Sequence, residues 1–346
     1  MAKIHELRLM ARVAQLYYSE KQTQTQISRR FNISQASISR LLKRALDEDI
    51  VRINVQAPRG TFLEQEAALR RRYGLLEAIV VETPDTNEES ILSAIGAGAA
   101  HFVETTLQEG EVIGISSWSA SLLRTVDNLS PPNAAASRVI QLLGGTGNPA
   151  VEKHATQLTL RLAQITRATP QLLAAPGLTK SPESRAVLLE DPYVQETLTQ
   201  FKDVSLALVG IGALEPSQML ADSGNRLTPD ELRELGHRGA VGDMGLRFFD
   251  ARGRQVCSST DDRIIGIDLP ELAQVPRVIG IAGGLRKLAA IRAAMLGHFI
   301  TILVTDNYTA DALLQDRNRP VNLVHPAPEP ARKPVKKLRK RGHAAL

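Results

Sequence analysis

Two helices joined by a short turn are predicted by the segment Thr23-Gln-Thr-Gln-Ile-Ser-Arg-Arg-Phe-Asn-Ile-Ser-Gln-Ala-Ser-Ile-Ser-Arg-Leu-Leu-Lys-Arg44. Thr23 and Ser34 are good N-cap residues, and apolar residues follow each of them at helical spacing. We expect one helix from Thr23 to residue 31, a turn at residues 32–33 and a second helix over residues 35–47. A preceding helix is predicted over residues 5–18, and a strand over residues 50–55.

The second of these helices has an apolar and a basic face. Ile38, Leu41, Leu42 and Ala45 form a stripe suited to a core, which leaves the polar and basic residues outside. Helix, turn and helix is the arrangement of a helix-turn-helix, in which the second helix enters the major groove. A small helical cap or dimerisation element with a solvated basic face is the alternative.

The predicted DNA interface combines base-reading and phosphate-binding side chains. Gln35 and Arg40 carry side chains that can make bidentate contacts with adenine and guanine edges. Arg29, Arg30 and Lys43 suit phosphate contacts, as does Arg44. The complete predicted set is Thr23, Gln24, Arg29, Arg30, Ser34, Gln35, Ala36, Ser37, Ser39, Arg40, Lys43 and Arg44.

Charge is segregated along the chain. Residues 1–56 hold ten Lys/Arg against five Asp/Glu, and residues 329–346 hold seven against one, whereas the region between them is acidic. Basic ends around an acidic body suit a protein that binds a polyanion with its ends. Residues 318–346 are rich in Pro, Lys and Arg without an apolar period, so we expect a disordered tail.

Composition excludes several classes of protein. The chain has 346 residues, 43% of them hydrophobic, which is enough for a full core in two or three domains. Cys257 is the sole cysteine, so a disulfide framework is excluded. Apolar runs are too short for a membrane span, and the first residues lack a signal-peptide core. We therefore expect a cytoplasmic protein with no membrane partner.

After a linker at residues 57–61, apolar strand-like runs alternate with amphipathic helices. The predicted strands are 78–82, 112–116, 139–143, 172–175, 204–210, 278–282 and 300–305. The predicted helices are 88–107, 119–129, 153–169, 285–296 and 309–315. This alternation predicts a doubly wound, mostly parallel α/β domain over residues 62–317, following a DNA-binding domain at residues 1–56.

Two loops rich in small residues follow predicted strands of this domain. They are Gly114-Ile-Ser-Ser-Trp-Ser and Gly144-Gly-Thr-Gly-Asn148. Ligands of open α/β sheets bind outside the carboxyl ends of the strands, and a helix N-terminus there attracts phosphate. The alternative is structural, because glycines after strands are often only turns and Trp118 fits a core.

A family resemblance begins with Thr25-Gln-Ile-Ser-Arg-Arg-Phe-Asn-Ile-Ser-Gln-Ala-Ser-Ile-Ser-Arg-Leu-Leu-Lys-Arg-Ala and the following Ile50-Val-Arg-Ile. This segment resembles the head of the SorC family of bacterial sugar-binding transcriptional regulators. Further matches are Gly114-Ile-Ser-Ser-Trp, Gln141-Leu-Leu-Gly-Gly, Val209-Gly-Ile-Gly, Gly239-Ala-Val-Gly-Asp and Ile281-Ala-Gly-Gly. They extend the resemblance over nearly the whole chain.

The resemblance implies a DNA reader joined to an effector domain similar to ribose-phosphate isomerase and glucosamine-phosphate deaminase. It also implies a homo-oligomer, dimer or tetramer, that binds double-stranded operator DNA and responds to a phosphorylated sugar-like effector. Asp243 would accept hydrogen bonds from sugar hydroxyls, and Lys287 would neutralise the phosphate. The predicted effector-binding residues are Ser116, Ser117, Trp118, Gly144, Gly145, Thr146, Gly147, Asn148, Gly212, Asp243 and Lys287.

A sugar-phosphate isomerase or deaminase with an added nucleic-acid-binding head is the competing prediction. The segment Gly210-Ile-Gly-Ala-Leu-Glu-Pro216 resembles a loop near the active sites of such enzymes. Glu215, however, lacks the Asp and His neighbours of that loop, and the histidines are scattered. Gly145-Thr-Gly-Asn-Pro-Ala150 matches the dinucleotide fingerprint only formally, since Pro149 spoils the turn. We therefore predict a regulator that has no catalytic residues, cofactor or metal.

Overall fold

The computed structural model divides the chain into two compact units, Met1–Pro58 and Arg59–Leu346. It describes residues 2–52, 58, 60–146, 149–215 and 227–315, with the backbone alone at residues 2–3 and 149–155. The boundary between the units falls inside the predicted linker. Four predicted features lie outside the described residues: the end of the strand at 53–55, Gly147, Asn148 and the tail at 318–346.

Three α-helices build the first unit over its described residues, 2–52 and 58. They are α1 (Ala2–Ala14), α2 (Gln24–Phe31) and α3 (Gln35–Asp47), with a π-helical turn, Gln15–Ser19, after α1. Thr23 caps α2 in a capping box with Gln26, and the side chain of Ser34 accepts a hydrogen bond from the Ser37 N–H at 3.2 Å. Asn32 ends α2 in the left-handed region with a φ of +52°. Its conformation turns the chain between α2 and α3.

The core of this unit is formed by the apolar faces of its helices. Ile27, Ile38 and Ala45 are completely buried, and Leu42 nearly so, whereas Leu41 is half-buried at the edge. The predicted strand at residues 50–55 is wrong where the structure describes it, because residues 50–52 pair with no strand. Instead, the Val51 N–H donates to the Ala45 carbonyl at 2.9 Å. Residues 50–52 therefore close the end of α3.

Among the described residues of the second unit, ten strands form two sheets. They are β1 (Glu77–Val81), β2 (Val112–Ile115), β3 (Arg138–Gln141), β4 (Thr169–Gln171), β5 (Leu206–Gly210), β6 (Gly212–Ala213), β7 (Ala240–Met244), β8 (Arg247–Asp250), β9 (Arg277–Ile281) and β10 (Ile302–Asp306). Seven form a parallel sheet in the order β1-β10-β9-β5-β2-β3-β4. This confirms the predicted mostly parallel α/β fold. The antiparallel sheet β6-β7-β8 was not predicted.

Helices cover both faces of the seven-stranded sheet. They are α4 (Leu63–Tyr73), α5 (Glu88–Thr106), α6 (Ala120–Asn128), α7 (Pro149–Ile165), α8 (Pro182–Leu189), α9 (Pro192–Thr199), α10 (Pro229–His237), α11 (Leu269–Leu272), α12 (Leu288–Leu296) and α13 (Asn307–Gln315). Two large hydrophobic clusters lie on opposite sides of the sheet, because alternate residues such as Val278 and Ile279 belong to different clusters. A sheet buried on both faces explains the nearly continuous apolar strands.

The order of strands creates a switch point beside β2. The chain continues from β2 to β3 and β4 on one side, whereas β5, β9 and β10 lie on the other. The connections after β2 and β5 therefore diverge at the same edge of the sheet. Ligands of open α/β folds bind in the crevice that such a divergence leaves.

Candidate effector pocket and DNA interface

A pocket lies at the carboxyl ends of β2, β5 and β9. Its walls come from residues 116–120, residues 210–213, the β7–β8 hairpin and the turn before α12, with Glu88 and Leu92 of α5 at one side. The empty space between these walls is about 680 Å³, including the open mouth. The cavity volume itself is about 80 Å³, and its open mouth makes the lining residues accessible to a small molecule.

Asp243 presents a buried carboxyl group to the pocket. Its Oδ2 accepts a hydrogen bond from the Leu246 N–H at 3.0 Å, and the residue is only 9% exposed. Burial raises the pKa of Asp243 to about 6, against the opposing effects of the Leu246 N–H and Lys287. A carboxyl group held in this way can accept hydrogen bonds from ligand hydroxyls.

The hairpin that carries Asp243 has a strained turn. Gly245 and Leu246 join β7 to β8 with φ values of +59° and +65°. Two consecutive positive φ angles are the type I′ pattern of a two-residue hairpin, but a leucine rarely adopts one. Strained residues persist where the surroundings fix them, and many lie at functional sites. Here the strained residue supplies the N–H that binds Asp243.

Two cations line the same pocket. Arg286 and Lys287 lie in the 3₁₀ turn Leu285–Lys287, directly before α12. Burial lowers the pKa of Lys287, as does the neighbouring Arg286, while Glu88 and Asp243 act in the opposite direction. Arg286 forms an ion pair of 3.8 Å with Glu88. The two adjacent cations make this end of the pocket suitable for an anion.

The loop after β2 forms the floor of the pocket, and its side chains bond within the protein. Ser117 accepts from Gln141 Nε2 at 2.9 Å and donates to the Leu143 carbonyl at 3.1 Å. The Ser116 hydroxyl accepts from the Gly210 N–H at 3.4 Å. Trp118 is 5% exposed and has a φ of +63°. These residues line the pocket as predicted, and their bonds hold the loop in place.

The predicted loop at Gly144–Thr146 does not line the pocket. A Cβ on Gly144 would lie 2.4 Å from the Ala175 carbonyl oxygen, and one on Gly145 would lie 2.1 Å from Gln141 Nε2. The Thr146 N–H donates to the same Ala175 carbonyl at 3.2 Å. These glycines permit close packing of two loops, which is the structural alternative to effector binding. Gly147 and Asn148 are not described.

Of the predicted effector residues, six lie together. The pocket contains Ser116, Ser117, Trp118, Gly212, Asp243 and Lys287. The sequence prediction missed Arg286, Glu88 and the hairpin residues Gly245 and Leu246. Arg286 carried a usable signal, because it is a second cation beside Lys287 after two glycines.

Glu215, the acid considered for catalysis, is exposed on the pocket wall. Among the residues that the structure describes, no three His, Cys, Asp or Glu side chains are grouped to hold a metal ion. No helix within the described ranges is long and apolar enough to cross a membrane.

In the first unit, α2 and α3 expose a basic surface. Arg29, Arg30, Arg40 and Lys43 are exposed, and the described part of the chain offers none of them an ion-pair partner. Thr23, Ser34, Gln35, Ala36 and Ser39 are also exposed, while Gln24, Ser37 and Arg44 are half-buried. Four cations without a local counter-charge suit contact with a phosphate backbone.

Arg44 differs from the other predicted phosphate contacts. It pairs with Glu48 at 2.7 Å and with Glu6 of α1, and the hydrogen bonds that its guanidinium donates to these two acids raise its pKa. Its charge is therefore partly compensated inside the unit. The hydroxyls of Ser34 and Ser37 are likewise used locally, since they bond to each other at 2.9 Å where Ser34 caps α3.

Comparison with known proteins places both units. Residues 59–315 match the family model Sugar-bind, described as "Putative sugar-binding domain", and residues 10–48 match region 4 of sigma-70. The sorbitol operon regulator of Klebsiella pneumoniae is 32% identical over 91% of this chain and 100% of its own length. The chain belongs to the SorC family.

Solved structures of similar proteins share this fold. The full-length sorbitol operon regulator SorC of K. pneumoniae has a TM-score of 0.68 at 31% identity, covering 89% of this chain and 99% of that one. The domain described as "Putative sugar-binding domain of transcriptional regulator DeoR" from Pseudomonas syringae pv. tomato is 40% identical, with a TM-score of 0.59, and the match covers 74% of this chain and 100% of that one. The deoxyribonucleoside regulator of Bacillus subtilis (strain 168) is 30% identical over 89% of this chain and 97% of its own length.

Proposed function

We propose that this protein is a DNA-binding transcriptional regulator whose operator affinity is controlled by a phosphorylated sugar, sugar acid or polyol. Residues 1–56 bind the operator. Residues 62–317 bind the effector and form a homo-oligomer, dimer or tetramer. The α3 helix enters the major groove with Gln35 and Arg40 toward the bases, while Arg29, Arg30 and Lys43 contact phosphates.

One observation carries the effector class: a single pocket is lined by the buried carboxyl group of Asp243 and by the adjacent cations Arg286 and Lys287. A carboxyl group favours ligands with hydroxyls, and two cations favour a ligand with an anionic end. A neutral sugar would bring no anion to Arg286 and Lys287, and inorganic phosphate would bring no sugar hydroxyl to Asp243. A ligand with both groups satisfies the whole pocket.

Control of DNA binding requires that the effector prefers one arrangement of the protein over another. Two half-sites on a duplex must be bound by the DNA-binding units of two subunits at a fixed spacing, which an oligomer provides. An effector can bind more tightly to an arrangement in which the DNA-binding units have a different spacing. It then changes operator affinity by at most the ratio of its own affinities for the two arrangements. Such coupling is typically about 1–3 kcal/mol, or about 5–150-fold.

Thermal unfolding in the presence of phosphorylated sugars and their unphosphorylated counterparts tests the effector class. A ligand at 100 times its dissociation constant stabilises the folded state by about 2.7 kcal/mol. We expect stabilisation by a phosphorylated or acidic compound, its loss in Lys287→Ala, and a change in retention of a selected DNA duplex. Equal stabilisation by the neutral counterpart would contradict the anion assignment.

The same compounds distinguish the proposed regulator from the competing isomerase or deaminase. Those enzymes need a positioned acid and base. Glu215, on the pocket wall, is the residue that would have to serve as one of them. We expect no turnover of any stabilising sugar phosphate. Conversion of the compound, without any effect on DNA retention, would favour the enzyme.

A further inference from the structure

Asp306 is a fully buried acid that the proposed effector contacts do not use. It ends β10 and precedes α13, with none of its surface exposed. Its Oδ1 accepts a hydrogen bond from the Thr309 N–H at 2.9 Å, which caps α13. One carboxyl oxygen is sufficient for this cap, so the second is available for another contact.

The second oxygen binds the turn that leads to the pocket cations. Asp306 Oδ2 accepts from the Gly284 N–H at 2.8 Å and from the Thr309 hydroxyl at 2.7 Å. Gly284 has a φ of +91°, and a Cβ on Gly283 would lie 2.4 Å from the same Oδ2. The two glycines therefore let the backbone pack directly against the buried carboxyl group.

Gly284 transmits this contact to the pocket wall. Its carbonyl oxygen accepts from the Lys287 N–H at 2.9 Å, which closes the 3₁₀ turn carrying Arg286 and Lys287. Gly284 is thus bonded through its N–H to Asp306 and through its carbonyl to Lys287. Two consecutive hydrogen bonds connect a buried acid outside the pocket to the backbone of the cation inside it.

We propose that Asp306 is a positioning residue of the effector site: its carboxyl group fixes the Gly283-Gly284 turn and thereby places Arg286 and Lys287 for an anion. This inference rests on the proposed function. Asp306 is not one of the residues that line the pocket. Its role is to keep two cations at one place on the wall, which a flexible turn would not do.

The variant Asp306→Asn tests the contact with the Gly283-Gly284 turn while it leaves the cap of α13 in place. An asparagine oxygen at the Oδ1 position still caps α13, but its NH₂ group then faces the Gly284 N–H, donor against donor. We expect the dissociation constant for inorganic phosphate, measured by isothermal titration of the full chain, to rise about 3- to 10-fold. Asp191→Asn is the matched control, because Asp191 also caps a helix, accepting from the Tyr193 and Val194 N–H groups.

The hydroxyl of Thr309 provides a second test. It also accepts from the Gly284 N–H at 2.8 Å, so Thr309→Ser keeps the contact and Thr309→Val removes it at similar volume. We expect Thr309→Ser to retain wild-type phosphate affinity and Thr309→Val to weaken it as Asp306→Asn does. A purely structural role would lower the unfolding midpoint in urea without this distinction in phosphate affinity.

The outcomes separate this inference from the proposed function. If wild-type protein binds phosphate, Lys287→Ala abolishes binding and Asp306→Asn binds like the wild type, Asp306 does not position the cations and the inference is overturned. If the wild type fails to bind phosphate or any phosphorylated sugar, the proposed effector class itself fails. Weakening in Asp306→Asn and Thr309→Val, with Asp191→Asn and Thr309→Ser unchanged, supports the positioning role.

Discussion

Gly212 and Asp243 pair in register between β6 and β7, and a Cβ built on Gly212 would lie 2.0 Å from Asp243 Oδ1. Only glycine leaves room for the carboxyl group in its present place. We expect Gly212→Ala to displace the Asp243 side chain and to weaken effector binding by about 10- to 100-fold, because a hydrogen bond to a charged group is lost. Operator affinity without effector should stay unchanged. Calorimetric titration with the sugar phosphate selected by thermal unfolding measures the effect.

Gly236→Ala serves as the control for this substitution. The nearest atom to its added methyl group is the end of the Leu214 side chain at 3.3 Å, which can move. Effector affinity should therefore remain at the wild-type value. Equal affinities in Gly212→Ala and the wild type would remove Asp243 from the ligand contacts.

The buried carboxyl group of Asp243 makes stability depend on pH. Its pKa is about 6 in the folded protein, above the value of 3.8 for an exposed aspartate, because burial disfavours its charge. The folded state thus retains the proton to higher pH than the unfolded chain. The contribution of this group to stability is present below about pH 4 and is lost as the pH rises through about 6.

Asp243→Asn should remove this dependence, since the amide is neutral at every pH. We expect the variant to exceed the wild type in free energy of unfolding by about 1–3 kcal/mol above pH 7, with the difference vanishing toward pH 4. Urea unfolding across this range is the measurement. For Asp250→Asn we expect the opposite result, a variant that is less stable than the wild type at neutral pH. Burial raises the pKa of Asp250, but the backbone and side-chain hydrogen bonds of Arg254 and the Arg252 N–H outweigh it and lower the pKa overall. A constant difference between Asp243→Asn and wild type would contradict the shifted pKa.

Trp118 makes the pocket visible by fluorescence. It is the sole tryptophan of the chain, lines the pocket and donates its indole N–H to the Gly144 carbonyl at 3.4 Å. Occupation of the pocket should change its surroundings, so we expect effector titration to shift the emission intensity. Lys287→Ala should show no change at the same ligand concentration. Calorimetric binding by the wild type without any emission change would place the ligand elsewhere.

Strands buried on both faces could be predicted from the sequence, and short or exposed strands could not. Every residue of β2 and β10 is buried, which gives the continuous apolar runs used for prediction. In contrast, β4 consists of Thr169, Pro170 and Gln171 at the edge of the sheet, where exposure removes the apolar signal. The prediction therefore moved this strand to the neighbouring apolar run at residues 172–175.

Long-range packing limited the prediction of the pocket. The prediction took Gly144 and Gly145 as ligand contacts because nothing local reveals that residues 141 and 175–176 pack against them. The β7–β8 hairpin was missed for a different reason, since Leu246 occupies a turn position that normally shows Gly or Asn. Asp243 and Lys287 were found through family resemblance. Their local sequence alone gives no reason to bring them together.

The ion pairs of Arg44 change the expected salt dependence of DNA binding. Each phosphate contact contributes about 0.9 to the slope of log affinity against log salt. We expect Lys43→Ala to reduce this slope by about 0.9 per head, because Lys43 has no counter-charge among the described residues. Arg44→Ala should reduce it by less, since Glu6 and Glu48 already compensate its charge. Filter binding over a range of salt concentrations measures both slopes. Equal reductions would show that Arg44 leaves its partners to bind phosphate.

Arg40 provides the direct test of α3 as the helix that enters the major groove. It is exposed on α3, as is Gln35, and its Nη2 donates a 3.3 Å hydrogen bond to the Ser37 hydroxyl. A bidentate contact with a base discriminates by about 1–3 kcal/mol, so Arg40→Ala should weaken binding to a duplex selected from random sequence by about 5- to 150-fold. Binding to unrelated duplexes should change much less, because they offer Arg40 no matching base. Arg8→Ala, an exposed arginine on α1, removes the same charge and should affect both kinds of duplex alike. If Arg40→Ala behaves as Arg8→Ala does, Arg40 contributes only charge and another element must discriminate the bases.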